Sequence, residues 1–112
     1  NPLRNNLLTF DEIMIINAIA ILHAKADDIM TAVQLGMWLK KYMEEKIVDG
    51  TMKIAKYPMI LYNLSNWLGR ENCHKEALKM ADLGIRFCIR YGNLAFFPIL
   101  VFNKGGALAE LG

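Results

Sequence analysis

Cysteine is scarce in this 112-residue chain: Cys73 and Cys88 are its only two. Two thiols do not make a disulfide framework, and this usage implies a reducing cytoplasm. Long apolar runs are missing as well. A membrane span needs ~20 residues, and the best candidate, Ile13 to Leu22, is about half that length and contains Asn17. No charge sign dominates, since 13 Lys and Arg face 11 Asp and Glu for a net +2. Lys40, Lys41 and Lys46 surround Glu44 and Glu45 instead of forming a basic stripe, which argues against direct nucleic-acid contact. Three prolines, and few glycines in turn-like clusters, leave long stretches free to be helical. No stretch alternates apolar and polar residues with period two for long enough to make a strand. Asn1 is not an initiator methionine and Asn1-Pro2-Leu3-Arg4 has no signal-peptide character, so the chain reads as an internal piece of a longer protein.

What is present points to a packed helical domain. Hydrophobic residues make up 54% and charged residues 21%, too apolar for a disordered segment. Residues 1–112 are enough for one domain with one core, and seven methionines suit an adaptable helical interior. Thr9-Phe10-Asp11-Glu12 reads as a capping box. Beyond it Ile13, Ile16, Ile19, Ala20 and His23 recur at helical spacing, in a segment apolar enough for burial on two sides. Asp27 or Asp28 starts a second helix through Ile29, Ala32, Val33, Gly36, Met37 and Leu39. Val48-Asp49-Gly50-Thr51 reads as a turn. A third helix is expected from about Met52 to Gly69, kinked or irregular at Pro58. It is broken by Gly69-Arg70-Glu71-Asn72. A fourth runs from about Cys73 to Tyr91, stopped by Gly92, with Asn93 a candidate N-cap; the fifth runs from near Asn93 or Phe96 to Leu111. The expected fold is all-α, five helices in antiparallel hairpins.

Self-similarity is the informative feature. Tyr57-Pro58-Met59-Ile60-Leu61-Tyr62-Asn63 aligns with Phe97-Pro98-Ile99-Leu100-Val101-Phe102-Asn103, 40 positions on. Leu35-Gly36-Met37 is echoed by Leu83-Gly84-Ile85, 48 positions on. A mid-helix glycine costs ~1 kcal/mol relative to alanine. Close approach of a neighbouring helix is the simplest reason to keep one, the alternative being two unrelated glycines.

Asn63-Leu64-Ser65-Asn66-Trp67-Leu68-Gly69, then Glu76-Ala77-Leu78 and Gly84-Ile85, resembles a tetratricopeptide repeat. Asn63 matches the asparagine of that motif's first helix, and Ala77 and Gly84 the small positions of its second. Ser65 departs from the usual small residue, and the period of 40 exceeds the standard 34. The longer period, the Tyr-Pro and Phe-Pro helix starts and Gly84-Ile85-Arg86-Phe87-Cys88 are similar to the C-terminal sensor regions of Gram-positive helix-turn-helix regulators of the RNPP (Rgg- and PlcR-like) type. The resemblance implies a tetratricopeptide-like right-handed superhelix that binds a short peptide and forms a homodimer. DNA binding would then belong to another part of a longer protein.

Catalysis is not expected. Cys73-His74 lacks a metal-ligand spacing, and His23 lies on another hairpin. Gly105-Gly106 has neither the Lys-Ser/Thr nor the strand of a phosphate loop, and is read as small positions where helices cross closely. Cys88 reads as a small core residue. No cofactor or metal is implied. Candidate contacts to a peptide or protein partner are Asn63, Asn66 and Asn103, whose amides both donate and accept as a peptide backbone does. Asn63 and Asn66 share a helix face. The same amides serve equally to satisfy inter-repeat groups or to face water. Tyr62, Trp67 and Phe102 add stacking or core, and Arg70 a carboxylate partner or a solvated charge. The chain stops after the first helix of a repeat, so Phe96, Leu100, Val101 and Leu108 are expected to form an apolar edge covered by a second copy or trimmed from its neighbour. The leading expectation is the peptide-binding, dimerising part of a bacterial transcriptional regulator. The rivals are a protein–protein adaptor and a regulator of a phosphotransfer pathway.

Overall fold

The computed structural model describes residues 7–47 and 50–112. It is all-helical: α1 (Phe10–Lys25), α2 (Ile29–Lys46), α3 (Gly50–Arg70), α4 (His74–Tyr91) and α5 (Phe97–Leu111). Val48 and Asp49 of the expected turn lie outside the described residues, and Gly50 and Thr51 already belong to α3. No described helix is long and apolar enough to cross a membrane. Each helix packs on the next, and α3 also touches both α1 and α5. The odd helices thus touch one another in succession, while α2 and α4 do not meet. The resulting body measures 51 × 33 × 19 Å, its least dimension about two helix diameters of ~10 Å.

Local chemistry sets the helix ends. The capping box forms: the Glu12 amide donates to Thr9 Oγ1 at 3.1 Å and the Thr9 amide to Glu12 Oε1 at 3.0 Å. α1, α3 and α4 end alike, each in a left-handed residue followed by an amide that reaches back five positions. Asp27 (φ 65°), Asn72 (φ 62°) and Gly92 (φ 68°) take the left-handed place. Asp28, Cys73 and Asn93 then donate to the carbonyls of His23, Leu68 and Cys88 at 2.8, 2.8 and 3.1 Å. Asn72, and not Gly69, is therefore what stops α3.

Pro58 lies fully buried inside α3. It has no N–H for the carbonyl of Ile54, four residues earlier. The side chain of Asn93 fills the vacancy, Nδ2 donating to Ile54 O at 2.6 Å. Its Oδ1 accepts from the Ala95 amide at 3.1 Å. Asn93 is thus no cap for α5, whose N-cap position is Phe96 with Pro98 in the first turn. The two aligned prolines have different places: Pro58 sits inside a continuous helix, without the break its ring suggested, and Pro98 stands in the first turn of one.

The mid-helix glycines mark the tightest crossings. A Cβ on Gly36 would lie 2.7 Å from Leu64 Cδ2 of α3, and one on Gly84 2.9 Å from both δ carbons of Leu100 of α5. Leu64 and Leu100 are fully buried, which removes Leu100 from the expected apolar edge. The crossings differ in register. Leu64 stands six residues past Pro58 and Leu100 two past Pro98, a slip of about one helical turn. Gly105 and Gly106 have nothing within 4 Å, so they do not serve the close helix crossing their spacing suggested. Cys88 is fully buried, as expected of a core residue.

On α1 the buried stripe is Ile13, Asn17, Ala20 and Ala24. Burial on two sides does not occur, because Ile15, Ile19 and Leu22 remain 59%, 43% and 64% exposed. Between α2 and α3 the Tyr57 hydroxyl donates to Glu44, which also pairs with Lys40 at 2.9 Å. Burial alone would raise the Glu44 carboxyl, but the Tyr57 and Lys40 bonds outweigh it and hold the group below the usual carboxylate range.

Gly84→Ala should lower stability by about 1 kcal/mol, because overpacking of ~1–3 kcal/mol exceeds the ~1 kcal/mol helix-propensity gain. Gly105→Ala, into open space, should raise stability by about 0.5–1 kcal/mol. Urea denaturation checks both signs. Asn93→Ala should cost about 1 kcal/mol through the lost hydrogen bond. Less should be lost in a Pro58→Ala background, where residue 58 supplies its own amide to Ile54, and a double-mutant cycle measures the coupling.

Candidate functional site: the groove between α3 and α5

Small residues create the groove. Ser65 of α3, Ala77 of α4 and Ala107 of α5, exposed by only 3%, 2% and 5%, form its floor. α3 contributes Asn66 and Arg70, one turn apart, and α5 contributes Phe102, Asn103 and Glu110, with Gly106 keeping that wall low. The cavity holds about 270 Å³. Because α3 and α5 run in the same direction, the groove has two unlike ends. Asn66, Asn103 and Phe102 make an amide and aromatic end; Arg70, His74 and Glu110 make a charged end.

The amide end has capacity to spare. Asn103 Nδ2 donates to Ser65 Oγ at 2.8 Å, and that hydroxyl donates to Tyr62 O at 2.8 Å. The Asn103 carbonyl oxygen and the whole Asn66 amide have no partner among the described residues. Phe102 stands 78% exposed, the most of any large apolar residue described. At the charged end Arg70 Nη2 lies 3.5 Å from Asp27 Oδ1, both side chains well exposed. An exposed pair of this kind contributes ~0–1 kcal/mol and is readily exchanged for another anion. His74 Nε2 and Glu110 Oε2 stand 4.0 Å apart.

The structure brings together three of the sequence-predicted residues, Asn66, Asn103 and Arg70, and leaves two outside. Asn63 does not line the groove, because its Nδ2 donates to Asn17 Oδ1 of α1 at 3.1 Å. Tyr62 stacks on Phe96, ring centroids 6.1 Å apart. Trp67 is a core residue at 4% exposure. The aligned asparagines nevertheless play one part twice: Asn63 reaches back to Asn17 on α1, and Asn103 to Ser65 on α3. Asn17 and Ser65 are the two buried polar residues among those described. Each gives the following odd helix an acceptor to lock onto.

No family model, curated protein or solved structure shows a significant match to this chain. The groove must speak for itself.

Sequence reasoning passed over Asn17 as an interruption of an apolar run and Ser65 as a departure from a repeat motif. The available signal was a polar residue within an otherwise apolar helix, which implies a buried hydrogen-bond partner. His74, Glu110 and Ala107 carried no spacing that tied them to α3, whereas Ala77 stood at a small position of the repeat motif.

Asn63→Ala leaves the buried Asn17 carbonyl without a donor and should cost about 1–3 kcal/mol. Asn66→Ala removes an unbonded, exposed amide and should stay within about 0.5 kcal/mol of the parent. Thermal and urea unfolding of the two variants measure the contrast.

Proposed function

We propose that the chain is a tetratricopeptide-like regulatory scaffold whose α3–α5 groove binds a short extended peptide. The observation that carries this reading is the pairing of unbonded amide capacity on Asn66 and Asn103 with an exposed Phe102, all above a floor of small residues. Amides on both walls match the alternating donors and acceptors of a peptide backbone. Phe102 offers a surface for an apolar side chain, and Arg70, releasing Asp27, a partner for a carboxylate. A ligand bridging α3 and α5 favours whichever angle between those helices suits it, which is how binding becomes a change of curvature.

The glycine crossings and the repeated asparagine locks support a superhelical arrangement. Together with the sequence resemblance they favour the sensor part of an RNPP-type transcriptional regulator, its DNA-binding part lying elsewhere in a longer protein. Free thiols at Cys73 and Cys88 fit the cytoplasm. Val101 and Leu108, 45% and 48% exposed on α5, are the residues a second copy would cover in a homodimer. A protein–protein adaptor is the second reading, favoured by the uncovered Ile15, Ile19 and Leu22 of α1.

Calorimetric titration with short hydrophobic peptides tests the first reading. Asn66→Ala and Asn103→Ala should each weaken binding about tenfold, equivalent to ~1.4 kcal/mol. Arg70→Gln should weaken free-carboxylate peptides more than amidated ones. Unchanged affinity in folded Asn66 and Asn103 variants would remove the groove from consideration.

A further inference from the structure

A second cleft lies where the last turns of α4 meet the first half of α3. Six residues line about 310 Å³: Lys53, Leu83, Arg86, Phe87, Arg90 and Tyr91. Three are cations, two are aromatic and none is acidic. None of the three cations belongs to an ion pair among the described residues. Arg86 Nε donates to Asp82 O at 3.4 Å, which steadies the guanidinium and leaves its other N–H groups free. Arg86 and Arg90 are one turn apart on the same face, a like-charge spacing that is unfavourable in a helix unless something compensates. The negative end of the α4 dipole supplies part of that compensation, and a bound anion would supply more.

The aromatic surface is equally well defined. Phe87 is held edge-on by Tyr57, centroids 4.9 Å apart, and supports Tyr91 at 4.6 Å. Tyr91 is 46% exposed, with Arg90 Cζ 5.6 Å from its ring centroid. An adjoining cavity of about 320 Å³ shares Lys53, Phe87 and Tyr91 and is bordered by Glu44 and Glu45. Glu44 is committed to Tyr57 and Lys40 and also feels the charge of Lys53, and Glu45 is in no ion pair among the described residues. The two arginines thus lie on one side of the aromatic pair and the two glutamates on the other, with Lys53 bordering both cavities. An anionic group is accepted on the Arg86–Arg90 side and repelled on the other.

We propose that this cleft binds a mononucleotide, with its phosphate among Lys53, Arg86 and Arg90 and its base on the Tyr91 ring, turned toward Glu45. A simple anion would use the cations alone, whereas a nucleotide would draw Arg90 from over the Tyr91 ring to its phosphate and place the base there instead. An acidic peptide would run into Glu44 and Glu45. A base–aromatic stack beside a phosphate–arginine contact uses both halves of the cleft. Its volume is at the lower end of the roughly 300–1,000 Å³ of small-molecule pockets, which suits one nucleotide.

The test is calorimetric titration of the whole chain at low ionic strength with adenosine 5′-monophosphate. Adenosine, inorganic phosphate and a hexameric oligodeoxyadenylate are run beside it, and the aromatic NMR signals of Tyr91 are followed. The expected result is saturable binding of the monophosphate with an upfield-shifted Tyr91 ring, and at least tenfold weaker binding of adenosine and of phosphate. Arg86→Gln with Arg90→Gln should weaken the monophosphate about tenfold, and Tyr91→Leu several-fold, with helix content preserved by circular dichroism. Phosphate binding as tightly as the monophosphate would reduce the cleft to an anion site and overturn the proposal. So would binding of the oligonucleotide alone, absence of any binding at millimolar ligand, or unchanged affinity in the folded arginine variants.

Discussion

The close approach of backbone to side chain at Gly36 and Gly84 is the constraint on which the rest of the molecule rests. At each place an even helix presses against the next odd helix, with a fully buried leucine entering the space a methyl group would fill. Interiors are packed to crystal-like density, so the contact sets the separation of the helices within tenths of an ångström. α3 is held by Gly36 below and carries α4; α4 then holds α5 through Gly84. The groove walls are α3 and α5, which makes the Gly84–Leu100 contact the spacer that determines groove width.

Polar groups then fix the helices in register along their lengths. The asparagine locks from Asn63 to Asn17 and from Asn103 to Ser65 join successive odd helices on one side. The bond from Asn93 to Ile54 ties the α4–α5 connection to the second turn of α3. Each uses an amide to satisfy a group that burial would otherwise penalise. Apolar packing tolerates sliding by fractions of a turn, whereas an amide bonded to a single buried acceptor does not. The two kinds of contact divide the work: glycines set distance and asparagines set register.

Much of this architecture was legible in the residues. Thr9 and Glu12, Asn72 and Gly92 marked helix ends because capping chemistry is local. Gly36 and Gly84 announced close crossings because helix interiors disfavour glycine without a reason. The repeat around Pro58 and Pro98 located the two helices that border the groove. What escaped was set by tertiary partnership. Asn63 and Asn66 share a helix face in sequence, yet Asn63 turns to α1 and Asn66 to the groove, a division decided by where Asn17 lies. Pro58 signalled an orphaned carbonyl at Ile54 without naming Asn93 as its donor. Gly105 and Gly106 looked like Gly36 and Gly84 and meet nothing. Ile15, Ile19 and Leu22 read as core because periodicity reports amphipathicity and not what lies alongside.

Pro58 gives α5 a fixed root. Its missing N–H leaves one backbone carbonyl of α3 unclaimed, and the residue that claims it sits in the connection feeding α5. The start of α5 is therefore pinned to α3 through Asn93, beyond the amide end of the groove. At the other end α5 faces Arg70 of α3 and His74 of α4 through Glu110, whose one ion pair among the described residues is the 4.0 Å contact with His74. α5 is thus tied to its neighbours by polar bonds at its root, through Asn93, and at its middle, through Asn103 and Lys104. The polar ties thin out toward the charged end of the groove, so that end is where a ligand meets the fewest existing bonds to displace.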